Sequence, residues 1–189
     1  MTILLLGPPG AGKGTQGLLL AERLGVPKFA TGDLLRDAVA RGTPLGRRAK
    51  AVMESGALVS DDIILGIVRE ELAGPDAARG VVLDGVVRTV PQAEGLDALL
   101  AVRGRRLDHV FFLDVSDQEI LERLAKRRGV EGRADDAPEA IRRRLQAYRE
   151  QTAPVLAWYE ARNGLKRIEG RGTVAEIGER IAAALGNGG

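Results

Sequence analysis

Gly7-Pro8-Pro9-Gly10-Ala11-Gly12-Lys13-Gly14-Thr15 places four glycines, one lysine and one hydroxyl within nine residues. Glycines at this density let successive backbone N–H groups converge on phosphate oxygens. A helix that follows them adds the positive end of its dipole. Lys13 can bridge the β- and γ-phosphates of a nucleotide as a point charge. In a chain of 189 residues with 25 Gly, the pattern G-x4-G-K-x-T arises by chance roughly three times per thousand such sequences, before a strand and a helix are also required. A mere Gly-rich turn is therefore the weaker reading. The hydroxyl of Thr15 lies one position later than in the general motif, because Gly14 follows Lys13, and this marks a subclass.

Other residues could complete such a site. Asp84 ends the apolar run Val81-Val82-Leu83 and precedes Gly85. A carboxylate there can form a turn, and beside a phosphate loop it can orient the water ligands of Mg2+. Arg88 comes next after that strand and turn, where chemistry gathers in α/β folds. Asp33 can cap a helix or serve a site. Arg133 lies in a polar, Gly- and Asp-rich stretch at 127–138 and could close on a ligand. Of Arg142, Arg143 and Arg144, at most one or two can face a site, since adjacent helical residues point apart. His109 reads as structural or exposed, and Trp158 and Tyr159 as packing residues.

Positioning these groups requires strands that alternate with helices. Apolar runs at 3–6, 81–83 and 110–115, with shorter ones at 28–30 and 166–169, read as strands. Helical patterns fall at 13–24, 33–41, 45–54, 61–72, 91–102, 118–128, 138–161 and 174–185. That alternation predicts parallel βαβ units in a three-layer α/β sandwich. Two segments exceed what one crossover needs: the fifty or so residues between the second and third strands, and the polar stretch 127–138. Both are candidate mobile insertions over a site at the carboxyl ends of the strands.

Composition narrows the partners. Cys is absent and His occurs once, which excludes disulfides, thiolate ligands and a Cys nucleophile, and leaves almost nothing for zinc. A net charge of +2 and 3% aromatic residues argue against a nucleic-acid platform. Of 28 basic residues 23 are Arg, a bias that suits bidentate phosphate binding and that a GC-rich genome also produces. The N-terminal apolar run is too short for a signal peptide or membrane span, so a cytoplasmic protein with no membrane partner is expected.

The motif Gly7-x-Pro9-Gly10-Ala11-Gly12-Lys13-Gly14-Thr15 resembles the signature of the adenylate kinases and related nucleoside-monophosphate kinases. Further segments resemble that family in order along essentially the whole chain. They are Thr31-Gly32-Asp33-Leu34-Leu35-Arg36, Gly56-Ala57-Leu58-Val59, Leu83-Asp84-Gly85 with Arg88-Thr89 and Gln92, Arg123 and Arg127, Gly132-Arg133-x-Asp135-Asp136, and Arg142-Arg143-Arg144-Leu145.

The resemblance implies a P-loop NTPase-type sandwich over residues 1–189, with a five-stranded parallel sheet ordered 2-3-1-4-5. It implies an AMP-binding insertion at 30–59 and a short lid at 126–136, without the zinc of longer lids. The implied reaction is phosphoryl transfer from Mg-ATP to AMP. A monomer is expected, because both insertions must move and no exposed apolar stripe is evident. Lys13, Arg88, Arg127, Arg133 and Arg144 would be catalytic. ATP would be held by Gly10, Ala11, Gly12, Lys13, Gly14, Thr15, Arg123, Arg127 and Gly172. AMP would meet Thr31, Arg36, Ala57, Leu58, Val59, Gly85, Val86, Val87, Arg88, Gln92, Arg133 and Arg144. Asp84 would act on the metal through water, with Thr15 beside it. Gln92 can offer both a donor and an acceptor to adenine's edge, and with Thr31 it favours AMP over UMP or CMP.

The family normally carries an aromatic residue and a proline after Asp-Gly, commonly with a cis bond. Val86-Val87 stands here, so a trans or strained loop and an altered aim of Arg88 are expected. That departure also leaves open a non-catalytic nucleotide-binding protein. A DNA- or RNA-handling ATPase is the poorest alternative.

Overall fold

Each apolar strand of this chain is followed by a helix long enough to carry it back to the same edge, so the strands pair in parallel. A computed structural model describes residues 1–54, 59–131 and 138–186; side chains at 53, 54, 127–131, 138–140 and 163 lie outside the description. Strands β1 (Thr2–Leu6), β2 (Lys28–Ala30), β3 (Val81–Asp84), β4 (His109–Asp114) and β5 (Lys166–Glu169) form one sheet. Its order is β2-β3-β1-β4-β5, every neighbouring pair parallel, as the resemblance implies. Leu5 of the central strand pairs with Asp84 on one side and Phe111 on the other.

Helices α1 (Lys13–Leu24), α2 (Thr31–Ala40), α3 (Pro44–Glu54), α4 (Asp61–Ala73), α5 (Val90–Ala101), α6 (Asp117–Glu131), α7 (Pro138–Ala147), α8 (Ala153–Asn163) and α9 (Val174–Gly186) cover the sheet. Alternation along the strands divides the core into two. Leu4, Leu6, Leu83 and Phe112 belong to a cluster with residues of α2, α3, α4, α5 and α8. Ile3, Leu5, Val82 and Phe111 belong to another with residues of α1, α6, α7 and α9. Ile3, Leu4 and Leu5 are fully buried, each contributing about 2 kcal/mol by transfer from water.

The excess length between β2 and β3 is the packed unit α2–α3–α4. A Cβ at Gly46 of α3 would lie 1.9 Å from the Ala38 carbonyl oxygen of α2, so only glycine permits this crossing. Exposed Arg48 of α3 pairs with Asp62 of α4.

Two sequence expectations need correction. α2 begins at Thr31, with Ala30 at the N-cap, so Asp33 sits in the first turn instead of capping. There it pairs with Arg36 on an exposed face. The single helix expected at 138–161 is divided by a π-helical turn, Tyr148–Thr152. Pro154 explains it: without an N–H it cannot continue the ladder, and its ring displaces the preceding turn. A 3-10 turn, Pro75–Arg79, also precedes β3 unforeseen. The expected lid at 126–136 and the 55–58 part of the AMP insertion fall largely outside the described residues.

Candidate active site

The phosphate loop leaves β1 and enters α1 through Gly10 and Gly12, both in the left-handed region at φ 84° and 94°. A Cβ at Gly10 would also press within 2.9 Å of Leu124 on α6. Lys13 folds back across the loop, its Nζ donating to the carbonyls of Gly7 (2.7 Å) and Pro8 (3.0 Å). These contacts keep the ammonium over the loop. Thr15 is exposed on the first turn of α1.

Neighbouring strand ends complete the cleft. Gly85 turns at φ 62°, and a Cβ there would lie 3.9 Å from Lys13 Cε. A Cβ at Gly14 would lie 3.7 Å from Asp84 Oδ2. The end of β3 and the loop's lysine are therefore adjacent. Thr31 Oγ1 donates to the Gly85 carbonyl at 2.8 Å, fastening the start of α2 to the same turn.

Arg88 is solvent-accessible yet crowded by protein atoms, the setting of a side chain that lines a cleft. Desolvation lowers its pKa from the usual guanidinium value; Arg144 lowers it further and Asp84 opposes both. Such coupling requires Arg88, Arg144 and Asp84 to share one locality. A guanidinium remains charged throughout, so two positive charges meet beside the Asp84 carboxylate.

Val86 and Val87 are each 1% exposed and belong to the α2–α5 core, so only their backbone remains for a ligand. No cis peptide bond occurs among the described residues, and the loop is trans as expected. Val59 packs against the same core.

Several predicted ligands are engaged within the protein. Arg123 donates to the carbonyls of Ala11 (3.3 Å) and Gly170 and pairs with Glu119, tying the phosphate loop to the β5–α9 turn. Gly172 lies in that turn at φ 108°, just before a capping box: Thr173 N–H donates to Glu176 Oε2 and Glu176 N–H to Thr173 Oγ1. Arg36 faces solvent beside Asp33. Gln92 is buried, its Oε1 accepting from the Arg88 N–H at 2.7 Å. The side chain of Arg127 and all of Ala57, Leu58 and Arg133 lie outside the described residues.

Sequence reading missed Lys28, Asp61 and the contact of Asp61 with Thr89. Lys28 ends near Asp84, Nζ to Oδ2 3.7 Å; its place on the strand before a candidate site was the available signal. Asp61 and Thr89 look like ordinary helix-start residues, and nothing in their spacing reveals that they meet. Oxygen donors at Asp84 and Thr15 fit a hard cation that keeps most of its waters, as Mg2+ does.

A glycine-rich loop between β1 and α1, a lysine over it and two interacting arginines near the end of β3 define a P-loop nucleotide-binding α/β protein. Residues 5–164 match the family described as Adenylate kinase. Curated proteins of that name are similar over nearly full length. The one from Thermus thermophilus is 53% identical over 97% of this chain and 96% of its own. Those from Stenotrophomonas maltophilia and Gemmatimonas aurantiaca are 51% and 50% identical, each over 98% of this chain and 99% of their own. The chain belongs to the adenylate kinase family and is a phosphotransferase that acts on nucleotides. Among the described residues no helix is long and apolar enough to cross a membrane.

Proposed function

We propose that the protein catalyses reversible phosphoryl transfer from Mg-ATP to AMP, giving two ADP. The observation that carries this reading is the meeting of Lys13, Gly85, Asp84, Arg88 and Arg144 at one cleft. The acceptor is a phosphate already ionised at neutral pH, so no general base is needed, and positioning with charge neutralisation carries the rate.

Lys13 and the loop amides hold the donor's phosphates. Arg88 takes the acceptor phosphate, and Arg144 beside it opposes the negative charge that builds as the two phosphates approach. Asp84 through water and the Thr15 hydroxyl would hold Mg2+, which when bound supplies charge neutralisation at the phosphate oxygens. Arg127 and Arg133, carried by the segment at 126–136, complete the charge around the transferring group as that segment closes and excludes water. Arg36 reaches the acceptor only after leaving Asp33, an exposed pair that costs little to break. The insertion at 30–59 supplies Thr31 and the backbone at 57–59 to the acceptor nucleoside.

The test is to mix protein with Mg-ATP and each nucleoside monophosphate in turn and follow ADP. Rapid turnover with AMP alone is expected. Preference for UMP or CMP would move the acceptor assignment, and ATP binding without turnover on any acceptor would overturn catalysis.

A further inference from the structure

The acceptor side contains a closed ring of hydrogen bonds that no motif predicts. Asp61, the first residue of α4, accepts from Gln92 Nε2 at Oδ1 (2.6 Å) and from the Thr89 hydroxyl at Oδ2 (3.1 Å). Thr89 Oγ1 in turn accepts the Gln92 N–H at 3.3 Å, capping α5. Gln92 Oε1 closes the ring by accepting the Arg88 N–H at 2.7 Å.

The chemistry of the members allows one arrangement. The Thr89 oxygen already accepts from Gln92, so its hydroxyl proton must go to Asp61, and Asp61 must accept at both oxygens. Only a carboxylate does that. Gln92 is 2% exposed and cannot reorient through bulk water. Turning its amide over would set Oε1 against the Asp61 carboxylate and the NH2 group against the Arg88 N–H, leaving buried groups unpaired.

We propose that Asp61, on the helix after the acceptor insertion, is the positioning residue of the acceptor side. It fixes the Gln92 amide in one orientation and, through it, the main chain of Arg88. The inference rests on the reading that AMP is the acceptor. Adenine presents an N6–H donor beside the N1 acceptor, and hypoxanthine presents the reverse. On the reading that the second Nε2–H and second Oε1 lone pair of Gln92 face the base, a fixed amide distinguishes them, whereas one free to turn matches either. Base preference therefore depends on a carboxylate that touches neither base nor phosphate, and the Arg88 arm holds for any monophosphate.

The experiment compares the full chain with Asp61→Asn and Asp61→Glu, using AMP and IMP as acceptors, with unfolding midpoints measured alongside. Asn is isosteric but can present an NH2 group to a turned amide. Asp61→Asn is expected to raise KM for AMP about tenfold and to lower the AMP-over-IMP preference about tenfold, the scale of one buried hydrogen bond to a charged group. KM for ATP should stay within about twofold. Asp61→Glu retains two acceptor oxygens and should keep the AMP preference. In a Gln92→Leu background the Asp61→Asn change should add little, since contacts in one network are not additive.

An unmoved KM for AMP, a parallel rise in KM for ATP, or full additivity with Gln92→Leu would overturn the proposal. The unmodified chain separates it from the reading beneath it. A wild-type preference for another base overturns the AMP assignment, and a monophosphate KM that Asp61→Asn leaves unmoved overturns the role of Asp61.

Discussion

Lys28 Nζ lies 3.7 Å from Asp84 Oδ2, so an ammonium on the edge strand faces the carboxylate that ends its neighbour. Both side chains are largely shielded from solvent. On the proposed role of Asp84, the lysine occupies the charge that a divalent cation would otherwise claim.

Replacing Lys28 by Gln should therefore make Asp84 a better partner for Mg2+. The half-saturating Mg2+ concentration for turnover is expected to fall about threefold, the scale of a partly exposed ion pair. A metal titration at fixed ATP checks this, with kcat at saturating metal unchanged.

Lys13 is braced by two carbonyls of its own loop, which aim its charge without neutralising it. Lys13→Met should lower kcat about a hundredfold or more, as removal of one preorganised charge-stabilising group does. Steady-state kinetics with saturating ATP and AMP check it, and the unfolding midpoint should change little.

Val86 and Val87 pack in the core with residues of α2, α4 and α5. Truncating Val87 to Ala should cost about 2 kcal/mol through lost transfer energy and a residual cavity. Denaturant unfolding would show a lower midpoint with an unchanged slope. KM for the acceptor should rise as well, since Arg88 follows directly.

His109 opens β4 and stacks on Phe111, with ring centroids 5.5 Å apart. Burial lowers its pKa below 6.5, Lys166 adds to this, and Asp108 opposes it. The unfolded chain thus binds the proton more readily than the folded one. Stability contributed by the neutral ring is complete above pH 6.5 and is lost as pH falls through the lower folded value. His109→Asn should flatten that part of the pH–stability curve, measured as unfolding midpoints between neutral and acidic pH.

What the sequence made legible followed from local chemistry. The phosphate loop, the apolar strands and the strand order all rest on short-range pattern and family resemblance. The start of α2 was misjudged because Asp33 is a good cap by type, whereas Thr31 enters the helix once its hydroxyl is taken by Gly85. The break at Tyr148–Thr152 had a visible cause in Pro154, yet helical periodicity on both sides concealed it. Asp61 and Lys28 were invisible for another reason. Their partners lie 31 and 56 residues away in sequence, and only the folded sheet and insertion bring them together.

The central sheet separates two hydrophobic clusters, one with residues of α2, α3, α4, α5 and α8 and one with residues of the phosphate loop, α1, α6, α7 and α9. On the proposed assignment, α2 and Val86-Val87 belong to the first interior and Ala11 of the phosphate loop to the second. A lineage could remodel the acceptor half, residue by residue, to admit a different monophosphate while the triphosphate half kept its packing intact. The same partition lets an engineer retune acceptor choice without first restabilising the donor side.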